Sequence, residues 1–149
     1  MIAFYVASDE HGYLCNFSAH GFTLDGDYWP TVEHYFQAQK FVGTEYAQRI
    51  RAARTPKEAK NLGMTRKITL RSDWEEVKVD VMQKAVFAKF KTHTDLAEAL
   101  VETGNDELVE NAPGDYFWGC GKMGTGQNWL GKILMEVRCQ LQEPEAREP

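Results

Sequence analysis

The chain has 149 residues, a length typical of one domain that is large enough to bury a hydrophobic core. Hydrophobic residues make up 43% and charged residues 26%, which excludes an intrinsically disordered chain. The net charge of −5 excludes a basic footprint over the whole surface of the kind that binds duplex nucleic acid, although Lys and Arg cluster locally over residues 49–71.

The N-terminal part of the sequence predicts a small β element. Residues 2–6 are apolar and β-prone and predict a strand, and residues 9–12 predict a turn after it. Residues 22–24 and 28–29 predict a hairpin, because Asp25-Gly26-Asp27 between them supplies the positive φ of a tight turn.

Helices are predicted from residue 31 onward, and capping residues mark where they begin. Thr31 caps a helix that runs to about residue 42, and Thr44 caps a second helix over 45–53. Thr55, followed by Pro56 at the first helical position, opens a short helix that stops at Gly63.

A long helix is predicted from a capping box at Ser72 to about residue 91. The helical period predicts that one face of it is buried. That face consists of Trp74, Val77, Val81, Ala85 and Ala88. Acidic residues in its first turn and the basic residues Lys89 and Lys91 in its last turn complement the helix dipole.

The last third combines helix, strand and loop. Thr94 opens a helix to about residue 103, residues 108–110 predict a short strand, and 111–127 predict a long ordered loop. Asn128 caps a final helix to about residue 141, in which Leu130, Leu134, Val137 and Leu141 are buried. The sequence therefore predicts a mainly α fold with a small β element (α+β) in one domain, residues 1–142, with a flexible tail at 143–149.

A polar stripe on the helix after Pro30 is the first candidate for chemistry. At about 100° per residue, Glu33, Gln37 and Lys40 fall within roughly 60° of one another, with Phe36 and Phe41 beside them. Glu33 lies in the first turn, where the helix dipole stabilises a carboxylate. Spacing alone fits a solvated helix face, whereas the aromatic residues on both sides favour a binding site.

The loop 115–124 is the second candidate. Asp115 is followed by Tyr116, Phe117 and Trp118, and an aromatic ring here either stacks on a nucleobase or anchors the loop in the core. Residues 119–124 match G-x-G-x-x-G, but without a βαβ unit around them they do not indicate a dinucleotide site. The loop with Lys122 either presents N–H groups to a phosphate or is a plain connector.

The cysteines and the N-terminus indicate the compartment. Cys15, Cys120 and Cys139 have no paired spacing, so neither a disulfide framework nor a zinc site is expected. The apolar N-terminus lacks a basic region, and no apolar run approaches the roughly 20 residues that span a bilayer. We therefore expect a cytoplasmic protein with no metal, no cofactor and no membrane contact.

Specific motifs along nearly the whole chain go beyond this generic chemistry. They are Phe4-Tyr5, Asn16-Phe17, the stretch Trp-Pro-Thr-x-Glu-His-x-Phe-Gln-Ala-x-Lys at 29–40, Trp74, Met82, Lys89-Phe90, Leu108-Val109-Glu110, Asp115, Trp118-Gly119 and Asn-x-Leu-Gly at 128–131, continuing through Met135 to Arg138. In these motifs the chain resembles the NADAR (YbiA-like) family.

The resemblance implies a compact, mostly helical YbiA-like fold and N-glycosidase activity without a cofactor. The implied substrates are phosphorylated ribosyl compounds of two classes: the ribosylamino-pyrimidine phosphates of riboflavin biosynthesis, or ADP-ribose on a base, notably guanine in ADP-ribosylated nucleic acid. Glu33 matches the functional glutamate of the family, and Trp74, Asp115 and Trp118 match its pocket positions. The full set predicted to bind substrate is Asn16, Phe17, His34, Gln37, Lys40, Trp74, Trp118, Gly119, Lys122 and Asn128.

Two positions depart from the pattern of the family. Some relatives have Asp after Trp-Gly where this chain has Cys120, which puts any role of that acid in doubt here. The Ser often found before Asn-Phe is Cys15.

The predicted mechanism assigns Glu33 to stabilise the cationic sugar and Asp115 to protonate the leaving nitrogen. The alternative is a non-catalytic module that binds ADP-ribose or a nucleotide with the same residues. A second alternative, a purely structural or interaction protein, predicts a large exposed apolar patch, which no helix of the sequence supplies.

Overall fold

The computed structural model describes residues 1–143, so the predicted tail lies outside the described residues from residue 144 onward. The mainly α class with a small β element is confirmed. Besides a 3₁₀ helix at Gly12–Leu14, the described part contains six α-helices and four three-residue strands. In chain order they are β1 (Ile2–Phe4), β2 (Phe22–Leu24), β3 (Asp27–Trp29), α1 (Val32–Gln39), α2 (Glu45–Arg51), α3 (Pro56–Gly63), α4 (Trp74–Thr92), α5 (Thr94–Glu102), β4 (Leu108–Glu110) and α6 (Trp129–Gln142).

The chain divides into two units. Residues 16–89 form the central unit, and residues 1–15 with residues 90–143 form the terminal unit. Within residues 1–143, no helix combines the length and the apolar character needed to cross a membrane.

In the central unit, the hairpin β2–β3 leads into α1. Its antiparallel register pairs Phe22 with Trp29, and both are buried. Asp25 and Gly26 at the turn have φ values of 56° and 86°, the paired positive angles that a two-residue type I′ turn requires. The hairpin is confirmed, with its second strand beginning one residue earlier than predicted.

Threonine caps fix where α1, α2 and α3 begin. The hydroxyl groups of Thr31, Thr44 and Thr55 each accept a hydrogen bond from the backbone N–H three residues later, which satisfies one of the free donors of the first turn. All three predicted caps are confirmed. The helix α1 packs against both α2 and α3, so it is the centre of this unit.

The predicted start and buried face of α4 are only partly correct, since Trp74 and Ala85 are buried as predicted but the helix begins one residue later than a cap at Ser72 implies. The helix begins at Trp74, two residues after Ser72, and the Asp73 carboxylate before it is engaged by Arg71 at 2.6 Å. Its buried positions are Trp74, Met82, Ala85, Val86, Lys89 and Phe90, whereas Val77, Val81 and Ala88 are half-buried. The buried face of α4 is therefore rotated relative to the predicted face and includes Lys89. A ranking by hydrophobicity places a lysine at the surface.

In the terminal unit, β1 and β4 form a parallel pair that joins residues far apart in the sequence. Ile2 pairs with Leu108 and Phe4 with Glu110. The strand β1 is shorter than predicted, because a turn in which the Asp9 N–H donates to the Val6 carbonyl follows at once and leaves Tyr5 and Val6 exposed. The helix α6 packs on β4, and its four predicted core residues are buried as expected.

The terminal unit also contains a cavity of about 320 Å³. It is lined by Phe90, Lys91, Thr94, Ala97, Glu98, Val101 and Leu141. None of these lining residues is a predicted site residue.

Candidate active site

The first turn of α1 positions the predicted catalytic carboxylate. Thr31 caps the helix, which places Glu33 among the free N–H groups of the first turn. The backbone N–H of Glu33 donates to the carbonyl of Asn16 at 3.2 Å. The chain entering the central unit is thereby tied to the beginning of α1.

The side chain of Glu33 is buried and oriented by its neighbour one turn along the helix. Glu33 is 7% exposed and Gln37 is 4% exposed. The Gln37 amide Nε2 donates to Glu33 Oε2 at 2.7 Å, the contact expected between positions i and i+4. The interpretation of this stripe as a solvated helix face is therefore wrong. A buried carboxylate is retained only where partners or function compensate for its desolvation.

Lys40 continues the stripe at the end of α1. Its Nζ donates to the carbonyl of Gly63 at 3.2 Å and lies 5.9 Å from the centre of the Phe36 ring. Burial lowers the pKa of Lys40, and the negative charge of Glu33 opposes that shift. Trp74 is buried, and its ring centre lies 5.0 Å from that of Phe36.

Both ring nitrogens of His34 form hydrogen bonds within the protein. It is 1% exposed, its Nε2 lies 3.0 Å from the Ala53 carbonyl, and its Nδ1 lies 2.8 Å from Thr31 Oγ1. Because a carbonyl only accepts, Nε2 carries the proton and Nδ1 accepts from the hydroxyl. Burial lowers the pKa of His34, which favours this neutral form. No ring nitrogen is left for a ligand, so His34 fastens α1 to the segment after α2.

Asn16 and Phe17 lie at the start of the central unit. Asn16 Nδ2 donates to Met82 Sδ at 3.4 Å, and its Oδ1 is buried and has no hydrogen-bond partner among the described residues. An unpaired buried acceptor is uncommon in folded proteins and marks a place where a donor from a ligand would fit. Phe17 is half-buried.

In the terminal unit, Asp115 organises the loop that precedes α6. Its Oδ1 accepts from the backbone N–H groups of Phe117 at 3.0 Å and Trp118 at 2.8 Å. The ring centres of Phe117 and Trp118 are 4.8 Å apart, and Phe117 stacks on Trp129 at 6.1 Å. All three rings are half-buried, so the predicted ordered loop is confirmed and carries a partly exposed aromatic cluster.

The N–H groups of the glycine-rich segment are used within the loop. Backbone oxygens accept from the N–H groups of Cys120, Gly121, Gly124 and Gly126, and the Tyr116 hydroxyl accepts from that of Lys122. Few backbone N–H groups of the loop are therefore left to bind a phosphate. The exposed side chain of Lys122 supplies the positive charge of this loop. Gly119 is buried, and a Cβ there would lie 2.9 Å from Ala112 Cβ, so its place in the motif reflects close packing.

Asn128 does not cap α6 with its side chain, and that prediction is wrong. Its backbone is left-handed, with φ 54°, and its side chain makes no cap hydrogen bond. Instead Nδ2 donates to the Leu108 carbonyl at 2.9 Å, and Oδ1 accepts from the Glu110 N–H at 3.0 Å. The side chain therefore clamps β4 to the beginning of α6.

The structure groups the predicted site residues by unit. The central unit brings Asn16, Glu33, Gln37 and Lys40 together around α1, and the terminal unit brings Asp115, Trp118, Gly119 and Asn128 together around one loop. Sequence reasoning missed Gly63, interpreted only as a helix stop, although it contacts both Gln37 and Lys40. In the described part of the chain, no three His, Cys, Asp or Glu side chains are arranged to hold a metal ion.

Comparison with known proteins defines the class. A family model described as the NADAR domain matches residues 3–142. The chain belongs to the NADAR family, which confirms the resemblance inferred from its motifs.

Three relatives illustrate the match. N-glycosidase Npun_R5314 of Nostoc punctiforme is 50% identical over 94% of this chain and 92% of its own length. N-glycosidase YbiA of Escherichia coli is 46% identical over 95% of this chain and 88% of its own length. The NMR structure of the E. coli protein YbiA superposes with a TM-score of 0.90 at 44% identity, covering 99% of this chain and 88% of the other. The riboflavin biosynthesis protein PYRR, chloroplastic, of Zea mays is 42% identical over 95% of this chain and 25% of its own length.

Proposed function

We propose that this N-glycosidase hydrolyses the bond between C1′ of a phosphorylated ribose and the nitrogen of a base or amine. Relatives of 46–50% identity that match nearly full length carry the name N-glycosidase, and the chain is accordingly a hydrolase of N-glycosyl bonds. The single observation that carries the residue assignment is the buried carboxylate of Glu33, held by Gln37 in the first turn of α1.

Cleavage of a C1′–N bond develops positive charge on the sugar and negative charge on the departing nitrogen. A preorganised carboxylate facing C1′ stabilises the sugar cation and orients the attacking water. A buried carboxylate acts more strongly than a solvated one, because little water screens it. Glu33 has this role in our proposal, and Asn16 Oδ1 is the acceptor for a sugar hydroxyl.

The remaining assignments carry over from the sequence. Asp115 is the candidate acid for the leaving nitrogen, and its Oδ1 accepts two backbone N–H groups that orient the carboxyl group. Lys40 and Lys122 are the candidate cations for phosphate, and either Trp118 or Trp74 is the candidate ring for stacking on the base.

Two substrate classes follow from different observations. The name of the maize relative, a riboflavin biosynthesis protein, supports ribosylamino-pyrimidine phosphates as substrates. Residues 49–71 contain eight basic and one acidic side chain, a local net charge of +7 that supports ADP-ribosylated nucleic acid. We also place the enzyme in the cytoplasm, which the thiols of Cys120 and Cys139 support.

Turnover of both substrates by the Glu33→Gln variant tests this proposal. The substitution keeps shape and removes charge, so we expect kcat to fall about 10²–10⁴-fold for any substrate that the wild-type protein hydrolyses. Release of ribose phosphate or ADP-ribose measures the rate. Glu45→Gln is the matched control, because Glu45 lies in the first turn of α2 but is exposed.

The outcomes separate the proposal from the non-catalytic alternative. Wild-type protein that binds ADP-ribose but releases no product from either substrate is a binding module. Near-normal turnover by Glu33→Gln removes Glu33 from the mechanism. Equal losses in Glu33→Gln and Glu45→Gln show that the loss of any acidic charge, and not this carboxylate, lowers the rate.

A further inference from the structure

Gly63, the last residue of α3, packs directly against the amide that orients Glu33. It is buried, and a Cβ added to it would lie 2.0 Å from Gln37 Oε1 and 2.7 Å from Gln37 Cδ. Because real Cβ atoms do not approach other atoms this closely, the Gln37 amide occupies its place only while residue 63 has no side chain.

The packing against Gly63 matters because the amide has no hydrogen bond on that side. Gln37 Oε1 is buried and accepts no hydrogen bond from the described residues, while Nε2 donates to Glu33 Oε2 at 2.7 Å. A reversed amide would place its oxygen against the carboxylate, so the donor is fixed on the Glu33 side. The position of the amide is thus set by one hydrogen bond and by contact with the glycine.

The carbonyl of Gly63 has a second role in the same group. It accepts from Lys40 Nζ at 3.2 Å. The end of α3 therefore contacts both neighbours of Glu33 on the polar stripe of α1.

We propose that Gly63 is a positioning residue of the catalytic apparatus: its missing side chain seats the Gln37 amide, which in turn holds the Glu33 carboxylate in its reactive orientation. This inference rests on the proposed function, since it assumes that Glu33 acts in turnover. It assigns a role to a glycine whose sequence signal is only that of a helix end.

The substitution Gly63→Ala tests space and not backbone strain, because Gly63 is the last helical residue and its φ is not positive. The added methyl group displaces the far end of the Gln37 side chain and with it the donor to Glu33. We expect kcat to fall about 10²-fold, since a displacement of about 1 Å has that effect at reacting groups, with KM changed less than about twofold. Gly114→Ala is the matched control, because a Cβ there meets no atom within 4 Å.

A double-mutant cycle shows whether Gly63 acts through the amide. The added Cβ would also lie 2.8 Å from Gln37 Cβ, which alanine keeps, so the background must be Gln37→Gly. In the Gln37→Gly background no side-chain atom of residue 37 remains for the methyl group to displace, so Gly63→Ala should lower kcat less than about twofold further. If Gly63→Ala alone fails to fold, the comparison of Gln37→Gly with the double variant still decides, because Gln37→Gly makes room for the methyl group.

Each result supports or overturns the proposal. A large loss of kcat in the wild-type background that vanishes in the Gln37→Gly background supports it. Normal kcat in Gly63→Ala, or equal losses in both backgrounds, overturns it. If the wild-type protein is active and Glu33→Gln is inactive while Gly63→Ala is normal, the inference about Gly63 fails and the proposed function stands. An inactive wild-type protein contradicts the proposed function itself.

Discussion

At the scale of single residues, the burial of Glu33 and His34, two adjacent ionisable side chains of α1, has different consequences. Glu33 keeps a donor from Gln37, which suits a carboxylate that must stay charged. His34, the next residue, has both ring nitrogens bonded within the protein and is held neutral. Adjacent positions on one helix point about 100° apart, so in our proposal Glu33 serves chemistry while His34 holds α1 in place.

The buried neutral His34 should make stability depend on pH. Its pKa is lowered in the folded protein, so the unfolded chain takes up a proton first as pH falls below about 6.5, the ordinary value. The stability that His34 contributes is therefore complete above that pH and decreases as pH falls toward the folded pKa. Urea unfolding at pH 7.5 and pH 5.5 measures it.

The variant His34→Gln isolates this contribution. At pH 7.5 we expect it to be about 1–3 kcal/mol less stable than the wild type, because buried hydrogen-bond partners are left unpaired. The difference in stability between the two proteins should narrow at pH 5.5, because protonation of residue 34 in the unfolded chain lowers the stability of the wild type only. A difference that is constant or widens with acid contradicts a neutral His34.

At the scale of elements, β4 is held to α6 by the amide of Asn128. Its two hydrogen bonds, to Leu108 and Glu110, hold a strand of three residues. Within the described residues this strand belongs to a two-stranded sheet, with β1 as its neighbour. The residue also has a φ of 54°, which Asn and Gly tolerate better than other residues. The clamp and the backbone angle explain why this position is an asparagine.

Substitution of Asn128 separates these two contributions. Asn128→Gly accepts the positive φ and removes only the clamp, so we expect a loss of about 1–3 kcal/mol in the free energy of unfolding. Asn128→Ala should lose about 1 kcal/mol more, because alanine is strained at this angle. Thermal or urea unfolding checks both values. A glycine variant as stable as the wild type would show that the clamp contributes nothing.

Local signals in the sequence predicted the beginnings of α1, α2 and α3 well. A capping hydroxyl acts within four residues, so Thr31, Thr44 and Thr55 are predictable from their neighbours alone. The tight turn at Asp25-Gly26 is predictable for the same reason. The polar stripe of α1 was also predictable, since it depends only on helical spacing.

Contacts between distant parts of the chain were not predictable. The parallel pairing of β1 with β4 joins residues about a hundred positions apart, and no local pattern encodes it. Asn128 looks like a cap in sequence because its partners, Leu108 and Glu110, lie in another element. Gly63 looks like a helix stop for the same reason. The burial of Lys89 likewise depends on tertiary surroundings and not on its residue type.

At the scale of the whole molecule, charge is distributed unevenly along the chain. The segment 49–71 has a net charge of +7 within a chain of −5, so the rest of the sequence carries −12. Six of the eight basic residues in this segment are exposed: Arg49, Arg54, Lys57, Lys60, Arg66 and Lys67. A local basic surface attracts a polyanion even when the net charge is negative, because salt screens charges more than about 8–10 Å away.

This asymmetry distinguishes the two proposed substrate classes. A nucleic acid presents many phosphates to the segment, whereas a ribosylamino-pyrimidine phosphate presents one. The double variant Lys57→Glu/Lys67→Glu should therefore raise KM for ADP-ribosylated DNA about tenfold at low salt. The increase should be smaller at higher salt, because the variant neutralises fewer phosphates and so its binding depends less on the release of counterions. KM for the small substrate should change less than about twofold.

A charge-matched control shows whether position matters. Lys91→Glu/Lys132→Glu changes the net charge equally, but both lysines are exposed in the terminal unit and outside the basic segment. If this control raises KM for DNA as much as Lys57→Glu/Lys67→Glu does, only net charge acts and the segment has no special role. If neither variant changes KM for DNA while both keep turnover of the small substrate, the basic segment does not contact nucleic acid, and the single phosphate of a small ribosyl compound remains as the group that the enzyme binds.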